Sequence, residues 1–224
     1  MNPQFAIGTG YAAYRGPVSD SGIHRHAAFQ IAMAADGVEM MDAAGTRHRS
    51  TVLLVPPAHH HRIRATTWLA IYFVEPQCVF ADRLRARCGA GITVAPELRD
   101  VDEDEIRAGT TPSSELDPRL QLAMDLMRDN GFPMPELAAA VGLSPQRLRA
   151  LARAQAGMPL TRWRVWARLR RAARALRSGS SVADAAIVAG FADQAHFTRQ
   201  LREMMGMTPT QILPILCPQS RRAT

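Results

Sequence analysis

The stretch Ala189-Gly190-Phe191-Ala192-Asp193-Gln194-Ala195-His196-Phe197-Thr198-Arg199-Gln200-Leu201-Arg202-Glu203-Met204-Met205-Gly206-Met207-Thr208-Pro209 decides how the C-terminal half is read. Gly190 stands where one helix stops and the chain turns, because glycine enters the left-handed region at little steric cost. Asp193 is a good N-cap for the next helix, and Ser181 with Asp184 fits a capping box on the previous one. Ala186 is the small residue where the two helices cross. Ile187, Phe191, Phe197 and Leu201 are expected on the inner faces. The pattern predicts a helix-turn-helix.

The same pattern occurs a second time. Leu137-Ala138-Ala139-Ala140-Val141-Gly142-Leu143 matches Ala185-Ala186-Ile187-Val188-Ala189-Gly190-Phe191, an offset of 48 residues. Ala156-Gly157-Met158-Pro159 answers Met205-Gly206-Met207-Thr208-Pro209. In the earlier copy Ala138 is the crossing residue and Gly142 the turn. Leu137, Val141, Leu143, Leu148 and Leu151 form the inner face, and Ser144-Pro145 starts the second helix. Between the copies, Pro159–Arg177 reads as one helix. Val165, Trp166, Leu169, Ala172, Ala173 and Leu176 share an apolar arc. Arg164, Arg168, Arg170, Arg171, Arg174 and Arg177 fill the rest without an acid, which points to phosphate proximity. Upstream, Asp117-Pro118 opens a helix carrying Leu120, Ala123, Met124 and Met127, and Asn130-Gly131 is its expected end.

Charge divides along the chain. Residues 1–117 hold 11 Arg against 14 Asp and Glu, a balance of −3. Residues 118–224 hold 16 Arg against 6 acids, a balance of +10. All 27 basic residues are Arg. A basic half attached to a mildly acidic one implies that one part meets a polyanion.

These features resemble the double helix-turn-helix domain of AraC/XylS-type transcription regulators over residues 118–213. The family's second unit has Gly-Phe, then Ser or Asp, then Phe-Ser/Thr-Arg, and closes on Gly-x-Ser/Thr-Pro. Here Leu201 and Arg202 replace the usual Phe and Lys. Arg168-Leu169-Arg170-Arg171-Ala172 matches the connecting helix. The resemblance implies that the second helix of each unit enters the major groove of double-stranded DNA. Gln146, Arg149 and Ala150 face outward in the first unit, flanked by Arg147 and Arg153. Gln194, Ala195, Thr198 and Arg199 do so in the second, with His196 expected to pack. Gln suits adenine and Arg suits guanine. Arg170 and Arg174 are expected on phosphates.

The N-terminal half has another texture. Phe29–Ala35, Val38–Met41, Thr51–Val55 and Trp68–Val74 are short apolar runs. They are broken by Asp36-Gly37, Pro56-Pro57 and Glu75-Pro76, as in a small all-β barrel or sandwich. Asp82–Cys88 suggests a short helix. The acidic run Asp102-Glu103-Asp104-Glu105 and the Pro/Ser-containing Gly109–Ser114 read as a solvated linker. His24-Arg25-His26, Gln30, and His61 after Pro56-Pro57-Ala58 resemble the two motifs of a cupin barrel, with Gln30 and Ala58 in the Glu and Gly positions. In a strand His24 and His26 share a face, and the Pro-Pro turn returns His61 to them. Three readings stay open: ligands to a divalent transition metal, polar lining of a pocket for an anionic or hydroxylated effector, or surface and structural roles.

The expected architecture is therefore an α+β two-domain chain. Residues 1–95 form a small cupin-like sensing or dimerisation barrel, and 96–116 a linker. Residues 117–216 form an all-α domain with two helix-turn-helix units joined by a linker helix, and 217–224 a tail. The domain starting near Thr111 is expected to fold alone. The expected function is a DNA-binding regulator, activator or repressor, with a small effector, homodimerisation and RNA polymerase as partners. The alternative is a cupin-type metal-binding enzyme with a helical accessory domain, but no Ser/His/Asp or paired-carboxylate arrangement supports it. No window of ~18 apolar residues marks a membrane span. The N-terminus has no signal-peptide pattern, and three widely spaced cysteines form no disulfide framework. The cytoplasm is the expected compartment.

Overall fold

The computed structural model describes residues 3–129 and 132–216. The expected helix end at Asn130-Gly131, the tail and Cys217 lie outside these residues. The N-terminal strands are β1 (Gln4–Ile7), β2 (Tyr11–Val18), β3 (Phe29–Asp42), β4 (Arg47–Val55), β5 (His61–Ile63), β6 (Thr66–Val74) and β7 (Thr93–Val94). They pair antiparallel in the order β1-β2-β6-β3-β4-β7, and β5 joins the far half of β3. The pairing path ends at β1 and β7, so the sheet is open along its hydrogen-bonded edges.

Asp36-Gly37 is not a hairpin turn. β3 runs straight through it, and the register with β4 shifts between Met33↔Val52 and Val38↔Ser50. Five steps along β3 therefore match two along β4. Gly37 supports this bulge at φ 93°, and the bend lets β5 replace β6 as the neighbour of β3.

Strand alternation produces two apolar faces. Tyr11, Ala13, Phe29, Ile31, Val52, Leu54, Tyr72 and Val74 face one way. They are covered by α1 (Val79–Arg87), a 3₁₀ turn (Pro96–Leu98) and α2 (Glu103–Ala108) through Phe80, Leu84, Leu98 and Ile106. Ala12, Tyr14, Ala32, Leu53, Val55, Leu69, Ile71 and Phe73 face the other way and join the core of the helical half.

The segment expected as a linker is thus folded onto the sheet. Leu98, Val101, Ile106 and Leu116 are buried. The acidic run is the first turn of α2, where Asp102 accepts from the Glu105 amide at 2.8 Å and the acids complement the helix dipole. Ser113 Oγ donates to Asp82 at 2.6 Å. The Cys78 and Cys88 thiols are free, and burial pushes Cys88 up to about 12.

The helical half comprises α3 (Pro118–Asp129), α4 (Met134–Ala140), α5 (Pro145–Gln155), α6 (Leu160–Arg177), α7 (Val182–Val188), α8 (Gln194–Met205) and α9 (Pro209–Leu216). Trp163 is wholly buried, and its indole donates to the Met124 carbonyl at 2.8 Å, tying α6 to α3.

Candidate functional site

The two helix-turn-helix units repeat in atomic detail. In the first, the Leu143 amide donates to the Ala138 carbonyl at 2.9 Å, and Gly142 has φ 67°. In the second, the Phe191 amide donates to the Ala186 carbonyl at 3.0 Å, and Gly190 has φ 85°. Ser144 caps α5 through the Arg147 amide, and Asp193 caps α8 through the His196 amide. Leu137, Ala138, Val141 and their counterparts Ala185, Ala186, Ala189 are all buried.

Ile187 was expected inside, but it is 59% exposed. Its counterpart in the first copy is Ala139, also exposed, so the repeat register carried the correct answer where apolarity misled.

The outward rows are presented as the motif implies. Gln146, Arg147, Arg149, Ala150 and Arg153 on α5 are exposed, as are Gln194, Ala195 and Arg199 on α8, with Thr198 half-buried. His196 packs edge-on against Phe191 at 5.4 Å between ring centroids.

Arg170 departs from the expected phosphate role. It is buried, donates to the Glu75 carboxylate and the Gly8 carbonyl, and therefore faces the sheet. Arg170 borders the apolar arc of α6 one turn after Trp166, and both groups reach Glu75. Arg164 and Arg171 are also bound to backbone carbonyls, of Phe132 at 2.5 Å and of Arg128 and Ala189 at 3.0 and 2.9 Å. Arg174 remains exposed. Glu75, read in the sequence only as the stop after β6, is an interdomain anchor. It also accepts from Arg128 at 2.7 Å.

The histidines converge. His24, His26 and His61 are 3%, 2% and 0% exposed, and one nitrogen from each lies within 4.8 Å of the others. His24 and His26 lie outside the strands, where a shared strand was expected, and His24 exchanges backbone hydrogen bonds with His61 of β5 at 2.9 Å as a single bridge. His24 Nε2 lies 3.1 Å from His26 Nε2, and His61 Nε2 lies 2.7 Å from Gln30 Oε1. Ala58 adopts φ 62°, the conformation a glycine would take more cheaply, and its amide donates to the His26 carbonyl at 2.8 Å.

Burial holds all three imidazoles neutral, with His24 lowered to about 4, His61 to about 3 and His26 well below its ordinary value. His24, His26, Gln30 and Phe73 open onto a cavity of about 330 Å³. Its opposite wall is Met205, Met207, Ile212 and Ile215, from the end of α8 and from α9.

Residues 137–214, roughly a third of the chain, match a family model described as a helix-turn-helix domain. Comparison with curated proteins finds no match. Among solved structures, ToxT from Vibrio cholerae O395 superposes with a TM-score of 0.61 at 9% identity, covering 93% of this chain and 99% of that one. Unsaturated fatty acid-bound ToxT from V. cholerae strain SCE256 gives 0.63 at 10% identity, covering 97% and 99%. No helix among the described residues is long and apolar enough to cross a membrane. The chain thus has the two-domain fold seen in ToxT, and its residues 137–214 are a helix-turn-helix domain.

Proposed function

We propose that this chain is a sequence-specific DNA-binding transcription regulator controlled by a small ligand. The carrying observation is the cavity walled on one side by the sensing sheet and on the other by the end of the second recognition helix, α8, and by α9. A ligand there touches both halves and biases their packing, which is what coupling between two sites requires.

The wall chemistry favours an amphipathic molecule with an apolar body and a hydroxyl, carbonyl or amide head. The His24 and His26 imidazoles in the wall are neutral, and a neutral imidazole both donates and accepts. The exposed Asp20 is also in the wall. A carboxylate head therefore has no fixed cation among these groups, which distinguishes the cavity from one built for a free fatty acid. Val18→Trp fills the cavity. It is expected to remove the ligand response while leaving ligand-free DNA binding intact, as read by selection on random duplexes with and without a library of amphipathic compounds. Loss of DNA binding in that variant without ligand would overturn the reading.

A second reading rests on the polar bookkeeping of the histidines. His24 Nδ1 lies 2.8 Å from the Gly22 carbonyl and His61 Nδ1 lies 3.0 Å from the His59 carbonyl. Donation there leaves both Nε2 atoms as lone pairs, one facing His26 and one facing the Gln30 amide. The cluster is rich in acceptors, and backbone carbonyls orient the rings as they do for metal-bound imidazoles. A divalent transition ion suits such a donor set. Elemental analysis of purified protein after loading with zinc, nickel or iron tests it. One ion per chain, lost in His26→Asn, is the expected result.

In this reading the protein is not an enzyme and works in the cytoplasm. A homodimer and a contact with RNA polymerase complete it, checked by sedimentation and by in vitro transcription.

A further inference from the structure

A second cavity lies on the other side of the interdomain contact, with a volume of about 210 Å³. Thr9 and Glu75 contribute to it from the connections that follow β1 and β6, Arg128 from α3, and Arg170, Arg171 and Arg174 from α6. Among the described residues lining it, Glu75 is the one acid beside four guanidinium groups, and Arg128 also pairs with Asp125, outside the lining, at 3.5 Å. That carboxylate is already saturated. Oε1 accepts from Trp166 and Arg170, and Oε2 from Arg128 and Gln77, which uses about all the lone pairs a carboxylate offers. Arg170 Nε is buried without an acceptor. Among the described residues no acid pairs with Arg174, one helical turn beyond Arg170 on the same face.

We propose that this cavity binds a small multivalent oxyanion, a phosphate ester or a di- or tricarboxylate. Planar guanidinium forks match such oxygens bidentately and are weakly hydrated, and a cleft whose lining carries a net positive charge concentrates anions. The volume admits a compact metabolite and excludes a duplex. The walls come from both halves of the chain, so the bound anion ties α6 to the sheet beside the Glu75 anchor and stabilises the packed arrangement. This assignment places Arg174 on the sheet-facing side of α6 and away from DNA. It is independent of the histidine-lined cavity.

The test is calorimetric titration of the full chain with inorganic pyrophosphate and, separately, citrate, at constant ionic strength against sodium chloride. The expected result is saturable one-to-one binding and a rise in melting temperature with one or both probes. The stronger probe tells phosphate from carboxylate recognition. Arg174→Gln should weaken binding roughly tenfold or more. Thr9→Asp, which sets a carboxylate in the opposite wall, should abolish it. Arg177→Gln should leave it unchanged. No saturable binding with either probe overturns the proposal. So does unchanged affinity in both cavity variants, or binding lost instead in Arg149→Ala or Arg199→Ala, which would place the anion on the DNA-reading surface.

Discussion

Arg199 and Arg170 carry the same charge but meet different surroundings. Arg199 stands exposed on α8, where its fork is available to a guanine edge. Arg199→Ala is expected to cost about 1–3 kcal/mol on the preferred site and relax preference at one base pair, with little loss on random DNA. Equal losses on both would make it a phosphate contact. Arg170 sits beneath the sheet on Glu75. Arg170→Ala is expected to destabilise the fold by about 2–3 kcal/mol, because a buried carboxylate loses a charged partner but keeps Arg128 and Trp166. The salt slope of DNA binding should stay as in the parent. A flattened slope would return Arg170 to the phosphates.

The histidines make a third residue-scale prediction. Above their ordinary value of 6.5 they are neutral in both folded and unfolded chains. Below it the unfolded chain takes up protons that the folded one refuses. Stability therefore falls as pH drops from 6.5 towards about 4 for His24 and about 3 for His61. Each contributes up to roughly 1.4 kcal/mol per pH unit. Urea midpoints from pH 7 to pH 4 should decline less steeply in His24→Asn.

Legibility differed from element to element for physical reasons. The pair α7 and α8 was readable because its signals are local: a cap, a turn glycine and a closing Gly-x-Thr-Pro, with the turn segment repeated 48 residues earlier and a related cap and Gly-Met-Pro ending beside it. The convergence of His24, His26, Gln30 and His61 was readable from motif spacing, although the His24–His26 segment is held by a single bridge to His61 and is not itself a strand. β3 was not readable as one strand, because Asp-Gly serves a hairpin turn and a bulge equally well, and only pairing with β4 distinguishes them. α2 was masked by its acidic first turn, whose composition is that of a solvated loop. Nothing local marks Glu75 as an anchor, since its partners on the helices lie 53 to 95 residues away.

The C-terminus of α8 allows an element-scale test. Gly206 has φ 66°, and a Cβ there would lie 2.6 Å from His24 Nδ1 and 2.9 Å from the Gly22 carbonyl. Gly142 has nearly the same φ, 67°, with nothing within 4 Å. Gly142→Ala is expected to cost only the backbone penalty of about 1–2 kcal/mol. Gly206→Ala must also push α8 away from the histidine loop. It should lower the melting temperature further and alter protection of the second half-site in a footprint. Equal melting temperatures would show that the loop yields freely.

At the scale of the whole molecule, one apolar core runs from the inner face of the sheet through α3, α6 and α8 to α9. Trp166 stacks edge-on with Phe73 at 5.8 Å and with His26 at 6.4 Å. Arg162 reaches across to the Arg25 carbonyl at 3.0 Å. A fragment beginning at Thr111 keeps the internal packing of both helix-turn-helix units, since Leu148, Leu151, Trp163 and Phe197 find partners within the helical half. It loses the cover over Trp166, Leu169, Leu176, Ile212 and Leu216, which line the narrow cleft against β1 and β2, and it strands Arg170 without Glu75. Apolar area returned to water costs about 25 cal/mol per Å². The fragment is therefore expected to be helical and to bind DNA, but to melt well below the full chain. Trp166 emission should shift to the red, and an apolar dye should bind. Replacing Leu169 by Gln in the fragment should suppress dye binding, while the same change in the full chain should destabilise it. A fragment that melts at the temperature of the full chain, with unshifted tryptophan emission, would mean that the sheet and the helices are separately stable bodies whose contact contributes nothing.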